Sequence, residues 1–260
     1  MSQSSLVQLA ARRTPAGAPA LVVVAHGSRD PRALSTVRAL LDRVREQRPG
    51  LPVHLGHIEL NEPLLTDTLA GLDARGTQDA VLVPLLLARG YHVRRDIPEM
   101  AASARVRTRV AAPLGPHPLL VDTLCARLAE AGWNTAMSPA ERRTSAVVLA
   151  AAGSRDPDSA SDTRRTARLL AERLGVPVVP AYASTAAPTV PEAVRALRAR
   201  GRDRVAVASC FTAPGRFATE SAQAAPWIAS APLGTHPAMV GLLLHRYDQA
   251  RAMGGSANAA

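Results

Sequence analysis

The segment Val22-Val23-Val24-Ala25-His26-Gly27-Ser28-Arg29-Asp30-Pro31 returns as Val147-Val148-Leu149-Ala150-Ala151-Ala152-Gly153-Ser154-Arg155-Asp156-Pro157, with alanine where the first copy has histidine. An internal duplication constrains the fold more tightly than composition does, because each copy has to close on the same plan. His26 aligns with Ala152 at an offset of 126 residues, Pro52 with Pro177, Glu59 with Ser184 and Gly90 with Gly215 at 125, and Ala112–Pro118 with Ala231–Pro237 at 119. The order never scrambles. The chain therefore reads as two lobes, 19–133 and 145–251, joined by a linker at 134–144 that contains Ser138-Pro139. Residues 1–18 and 252–260 are rich in small and polar side chains and are expected to be disordered.

Within each lobe, continuous apolar runs alternate with stretches of helical periodicity. Leu21–Ala25 reads as a buried strand, and Ala33–Arg48, with Leu34, Val37, Leu41 and Val44 on one face, as the helix after it. Asp30-Pro31 suits the start of that helix, with proline in its first turn. Further strands are predicted at Pro52–Ile58, Ala80–Leu86 and Val106–Ala111, and helices at Pro63–Ala74, Asp96–Ser103 and Pro118–Ala131. The second lobe predicts strands at Ala146–Ala151, Pro177–Tyr182, Arg204–Cys210 and Trp227–Ser230 and a last helix at Pro237–Arg251. Such alternation demands right-handed crossovers and a parallel sheet covered on both faces. The fold class is α/β: two similar lobes, each a small parallel β-sheet flanked by helices around its own core.

No apolar run approaches the roughly 20 residues needed to span a bilayer, and no leader pattern is visible, so a cytoplasmic protein with no membrane partner is expected. Cys125 and Cys210 fall at non-equivalent repeat positions inside apolar segments, which suits buried small hydrophobes rather than a disulfide. All 31 basic residues are arginine, and the formal charge is +10. Arginine grips carboxylates and phosphates through two parallel hydrogen bonds, so a polyanionic partner is admissible. At 3% aromatic residues, and without helix-turn-helix or zinc-finger spacing, the chain is not expected to bind nucleic acid.

The chemistry concentrates in the first copy. His26, Glu59 and His92 lie 33 residues apart in turn, one strand–helix unit each, past the C-terminal ends of the first three strands. Parallel strands all point one way, so the three side chains fall on one sheet edge, where open α/β folds place their ligands. Two imidazoles and a carboxylate suit divalent iron, cobalt, nickel or zinc. Their counterparts, Ala152, Ser184 and Phe217, have lost that ability together, as a working set would. His54 points to the other face by strand alternation, whereas His57 shares the parity of Glu59. His117 and His236 survive in both copies at the same helix start, which fits capping or packing; His245 reads as a surface residue of the last helix.

Ala25-His26-Gly27-Ser28-Arg29, Glu59-Leu60-Asn61-Glu62-Pro63, Val83–Pro98 with its Gly90-Tyr91-His92 segment, and Pro113–Pro118 resemble the sirohydrochlorin chelatases of the CbiX/SirB group, the class II tetrapyrrole chelatases, in their long two-lobed form. The resemblance implies insertion of ferrous or cobaltous ion into sirohydrochlorin, for siroheme or cobalamin synthesis, with neither ATP nor an organic cofactor; the ligand set itself also admits nickel. It carries the metal-handling and catalytic roles onto His26, His92 and Glu59. Neutral imidazoles serve both as exchangeable ligands and as acceptors for the two pyrrole protons. An incomplete ligand shell also releases its metal more readily than a closed four-ligand site. Sirohydrochlorin is a flat polycarboxylate, which a cleft between the lobes with an arginine rim would hold. The candidate contacts are Ser28, Arg29, Arg89, Tyr91, Arg94 and Arg95, with Arg155 and Arg216 from the second lobe, and the backbone N–H groups of the His-Gly-Ser turn before the first helix, which can receive a substrate carboxylate. One chain supplies both lobes, so a monomer is expected.

Two other classes compete. A carrier of metal or tetrapyrrole needs the same ligands without turnover. A phosphatase using His26 as nucleophile would normally have arginine just before it, where this chain has Ala25.

Overall fold

A computed structural model describes residues 17–255. The expected disorder at 1–16 and 256–260 lies outside the described residues. The first sheet is parallel, in the order β2-β1-β3-β4, from β1 (Ala20–Ala25), β2 (Val53–His57), β3 (Asp79–Pro84) and β4 (Arg107–Val110). The second is parallel in the order β6-β5-β7, from β5 (Ser145–Ala151), β6 (Val178–Tyr182) and β7 (Arg204–Ser209). The strand expected at Trp227–Ser230 is reduced to one bridge, Val207 with Ala229.

The helices are α1 (Pro31–Gln47), α2 (Leu65–Ala74), α3 (Ile97–Ala102), α4 (Pro118–Glu130), α5 (Pro139–Thr144), α6 (Pro157–Leu174), α7 (Val190–Arg198), α8 (Arg216–Gln223) and α9 (Pro237–Gly255). The segment predicted as linker is structured: α5 carries a capping box between Ser138 and Glu141, and Trp133 and Met137 are buried. Helix α9 continues to Gly255, past the expected end at Arg251.

The pattern of the sequence predicts a separate core for each lobe, but the two lobes share one. Alternate residues of each central strand face opposite ways. Val22 and Val24 face Leu65, Leu69 and Leu72 of α2 and Ile97 of α3, whereas Val148 and Ala150 face Val190, Ala193 and Leu197 of α7. These outer faces are private to each lobe. Leu21 and Val23 of β1 and Val147 and Leu149 of β5 instead enter one continuous core with α1, α4, α6 and α9.

The last helix of each copy crosses to the other. Helix α4 packs on α6 and β7, α9 packs on α1, β3 and β4, and the two pack on each other. Leu120, Leu124 and Leu128 of α4 and Leu242 and Leu243 of α9 are fully buried there, each contributing about 1.5–3 kcal/mol. Polar ties fasten the exchange. The Arg127 guanidinium of α4 donates to the Leu233 carbonyl at 2.9 Å, and Arg246 of α9 reaches the equivalent Leu114 carbonyl at 3.5 Å. Tyr247 donates to the Pro19 carbonyl at 2.7 Å, and Arg48, which caps the C-terminus of α1, pairs with Asp248 at 2.8 Å. Cys125 and Cys210 are free thiols, pushed up by burial to about 11 and about 12.

His117 and His236 cap α4 and α9, each Nδ1 accepting a backbone N–H two residues on, from Leu119 at 3.1 Å and Ala238 at 3.2 Å. Accepting requires an unprotonated nitrogen. Burial, reinforced by Arg246 and by His245, whose ring stands 4.8 Å away, holds His117 down at about 4; burial and Arg127 lower His236 as well. The unfolded chain protonates His117 near pH 6.5 and the folded chain only near pH 4, so this histidine costs stability progressively as pH falls through that window, and His236, lowered in the same direction, adds to the loss. His117→Asn keeps a capping acceptor and removes the titration. Thermal unfolding followed by circular dichroism is expected to show a shallower fall of Tm between pH 6.5 and 4.5 in this variant than in the wild type.

Candidate metal site

Strand order sets the geometry of the site. β1 lies between β2 and β3, so a residue leaving β1 can touch what leaves both neighbours. His26, one residue past β1, does so. Its Nε2 is 3.5 Å from Glu59 Oε1, and its ring meets that of His92 edge-to-face with centroids 4.7 Å apart. The side chains of His26, Glu59 and His92 are 41%, 55% and 35% exposed, respectively. They stand partly exposed past the C-terminal edge of the first sheet. Among the described residues, no three His, Cys, Asp or Glu side chains are arranged to hold one ion together; the three meet pairwise through His26.

Backbone crossings hold the first two in place. Glu59 donates its N–H to the His26 carbonyl at 3.1 Å, extending the β1–β2 ladder past both strands. Gly27, between them, sits at φ 103°, and a Cβ there would lie 1.9 Å from the Glu59 carbonyl oxygen, so only glycine fits. The second lobe keeps the same device at Gly153, with φ 89° and a Cβ position 2.6 Å from the Ser184 oxygen. The scaffold was kept while its side chains changed. Leu60 follows at φ 68°, a strained setting for a branched side chain, and presents 50% of its surface to solvent.

His92 opens a single π turn, His92–Asp96, in which the Ile97 N–H reaches back to the His92 carbonyl before α3 begins. Pro98 lacks the N–H that would continue an α-helical ladder to Arg94, which favours the wider turn. In the second lobe the same position is the regular helix α8 carrying Phe217. The turn brings the Asp96 carboxylate 2.5 Å from His92 Nδ1. A carboxylate only accepts, so Nδ1 carries the proton and Nε2 keeps its lone pair for a metal or a proton. Sequence reasoning missed Asp96; its i+4 spacing from His92 was the available signal.

The other predicted residues divide. Ser28 is engaged in the loop: its N–H goes to Asn61 Oδ1 at 2.7 Å and its hydroxyl oxygen accepts from the Asp30 N–H, which leaves the hydroxyl proton to donate, while Asp30 caps α1. Arg89 and Arg94 turn to the second lobe, Arg89 to Asp162 at 2.7 Å and Arg94 to Asp158. Arg29 and Arg155 are exposed; Arg95, 68% exposed, is only 3.9 Å from Glu99, and Arg216 lies over the Phe217 ring. Tyr91 is 64% exposed beside His92. His57 does not join the site: it is 2% exposed, bonded through Nδ1 to the Pro63 carbonyl, and lowered by burial. The equivalent Tyr182 is likewise buried.

The sequence pattern of the CbiX family matches residues 20–131 and again 146–250, both copies of the repeat and most of the chain. The chain belongs to the CbiX family. A curated relative, the sirohydrochlorin cobaltochelatase of Priestia megaterium, is 28% identical over 206 residues, 75% of this chain and 64% of that protein. The chloroplastic sirohydrochlorin ferrochelatase of Arabidopsis thaliana is 32% identical over 117 residues, 43% of this chain and 52% of that one. This CbiX-family chain thus matches less than two thirds of either relative's length. Among solved structures, SirB from Bacillus subtilis with Fe3+ superposes with a TM-score of 0.74 at 23% identity, over 92% of this chain and 98% of that one, which establishes the shared chelatase fold.

The paired glycines offer a controlled test. Gly27→Ala and Gly153→Ala are each expected to lower Tm by about 4–8 °C, from about 2 kcal/mol of backbone strain. Cobalt binding, followed by visible absorption, should fall only in Gly27→Ala; equal losses would show that the crossing does not set the His26–Glu59 geometry.

Proposed function

We propose that this CbiX-family protein is a sirohydrochlorin chelatase, exchanging two pyrrole protons of the macrocycle for one divalent metal, Fe2+ or Co2+. The observation that carries the reading is the meeting of His26 with both Glu59 and His92 on an open edge, in a copy of the repeat whose partner has lost all three. The metal is a substrate and has to leave, which suits exposed ligands that meet pairwise better than a closed shell. His92, its tautomer set by Asp96, offers Nε2 to the incoming ion. His26 takes up pyrrole protons, with the Glu59 carboxylate 3.5 Å away to stabilise the imidazolium.

Leu60 and Tyr91, both exposed beside these groups, give the flat ring an apolar seat. Arg29 and Arg95, with Arg155 and Arg216 from the second lobe, are the candidates for its carboxylates, replacing Arg89 and Arg94. One chain supplies both lobes, so a monomer suffices, and no step calls for ATP.

Mixing sirohydrochlorin anaerobically with ferrous or cobaltous ion and catalytic protein, and following the macrocycle's absorbance, tests the reading. Multiple turnovers are expected, reduced at least about 100-fold in His26→Ala and in His92→Ala. Asp96→Ala should cost about 10–100-fold through misorientation of His92. Transfer limited to one equivalent of bound metal would mean a carrier instead.

A further inference from the structure

The second lobe has lost the counterparts of all three reactive side chains, yet it grips the loop that bears one of them. Asp162, on α6, is 5% exposed. Its Oδ2 accepts from the Arg89 backbone N–H and from Arg89 Nε, both at 2.9 Å, while Oδ1 accepts from Nη2 at 2.7 Å. These bonds fix both the backbone and the guanidinium of a residue three positions before His92. Two positions after it, Arg94 pairs with Asp158 and stands 3.7 Å from Asp156, both at the start of the same helix. The π turn carrying His92 is therefore held at both sides by the other lobe.

The duplication supplies an internal comparison. Asp162 corresponds to Thr36 at the 126-residue offset, and Arg89 to Pro214 at the 125-residue offset. Neither replacement can form a charged tie. At that junction an open hollow of about 380 Å³ remains instead, lined by Ser35, Thr36, Arg127, Pro214 and Thr235 among others. The loop there carries Phe217. The tie is thus present on the side whose loop bears the histidine and missing on the side whose loop does not.

We infer that Asp162 is a positioning residue for His92: through Arg89 it holds the histidine's loop at the distance from His26 that metal transfer needs, so that the degenerate lobe serves the site as well as the shared core. The inference rests on the chelatase reading for its purpose, but not for its geometry. Charge-assisted bonds of this kind are short and directional, and a displacement of about 1 Å in a reacting group costs on the order of 100-fold. Burial opposes the charge on Asp162, and the Arg89 hydrogen bonds outweigh it, keeping its carboxyl below the usual range.

The test uses Asp162→Asn, Arg89→Gln and the double variant, first without tetrapyrrole. Cobaltous ion is titrated by visible absorption, and the His92 imidazole is followed by nitrogen-15 NMR. Each single variant is expected to bind Co2+ about 10-fold more weakly and to shift the His92 resonances, and the double variant to be no worse than either single, as one shared interaction requires. With sirohydrochlorin and metal, kcat should fall about 10–100-fold while KM for the macrocycle changes less than about twofold. Wild-type Co2+ affinity and His92 resonances in folded variants, or additive losses in the double, would overturn the inference. If Asp162→Asn does not fold, Arg89→Gln alone carries the test, since that side chain is 44% exposed. A wild type that binds Co2+ but turns over no sirohydrochlorin would refute the chelatase reading while the Co2+ and NMR results still decide the role of Asp162.

Discussion

The exchange of the two terminal helices is the interaction on which the rest depends. Because α4 covers the second sheet and α9 the first, the inner faces of β1 and β5 close against one shared apolar layer. Neither copy buries its inner face with its own residues alone. The shared layer fixes the relation of the two sheets, and so brings the start of α6 to the loop after β3, where Asp158 and Asp162 meet Arg94 and Arg89. A site carried by the loops of one sheet is in this way braced by a helix of the other.

Within this frame the duplication separates scaffold from chemistry. Gly27 and Gly153, the histidine caps on α4 and α9, and the reciprocal Arg127 and Arg246 contacts recur in both copies and serve the backbone. What differs at the reactive edge is a few side chains and one turn: His26 against Ala152, Glu59 against Ser184, His92 with its π turn against Phe217 on a regular helix. The many arginines divide similarly. Arg48, Arg89, Arg94 and Arg127 tie elements together, while Arg29, Arg95, Arg155 and Arg216 face solvent.

Much of this was legible in the sequence, for physical reasons. Buried parallel strands such as Leu21–Ala25 leave unbroken apolar runs, and amphipathic helices such as α1 leave a 3.6-residue period, so the elements and the α/β class follow. Parallel topology places the residues after β1, β2 and β3 on one edge, and that made the grouping of His26, Glu59 and His92 readable. Which sheet a helix covers is a long-range choice with no local signature, so the exchange of α4 and α9 was not readable. The Asp162–Arg89 pair, 73 residues apart, was hidden for the same reason. Trp227–Ser230 shows the converse: its local composition suits a strand, but it retains only one bridge to β7. Asp96, four residues from His92, carries its signal in that helical spacing.

The exchanged helices also bear on how the chain is made. Synthesis runs from the N-terminus, and the first sheet is fully synthesised once Val110 has been added, but the helix that covers part of it begins only at Pro237. Until that helix leaves the ribosome, Leu21, Val23 and their neighbours lack part of their cover. The first lobe must therefore wait, incompletely packed, for the last segment described, and a chain that stalls in its second half presents the same unfinished surface to chaperones and proteases.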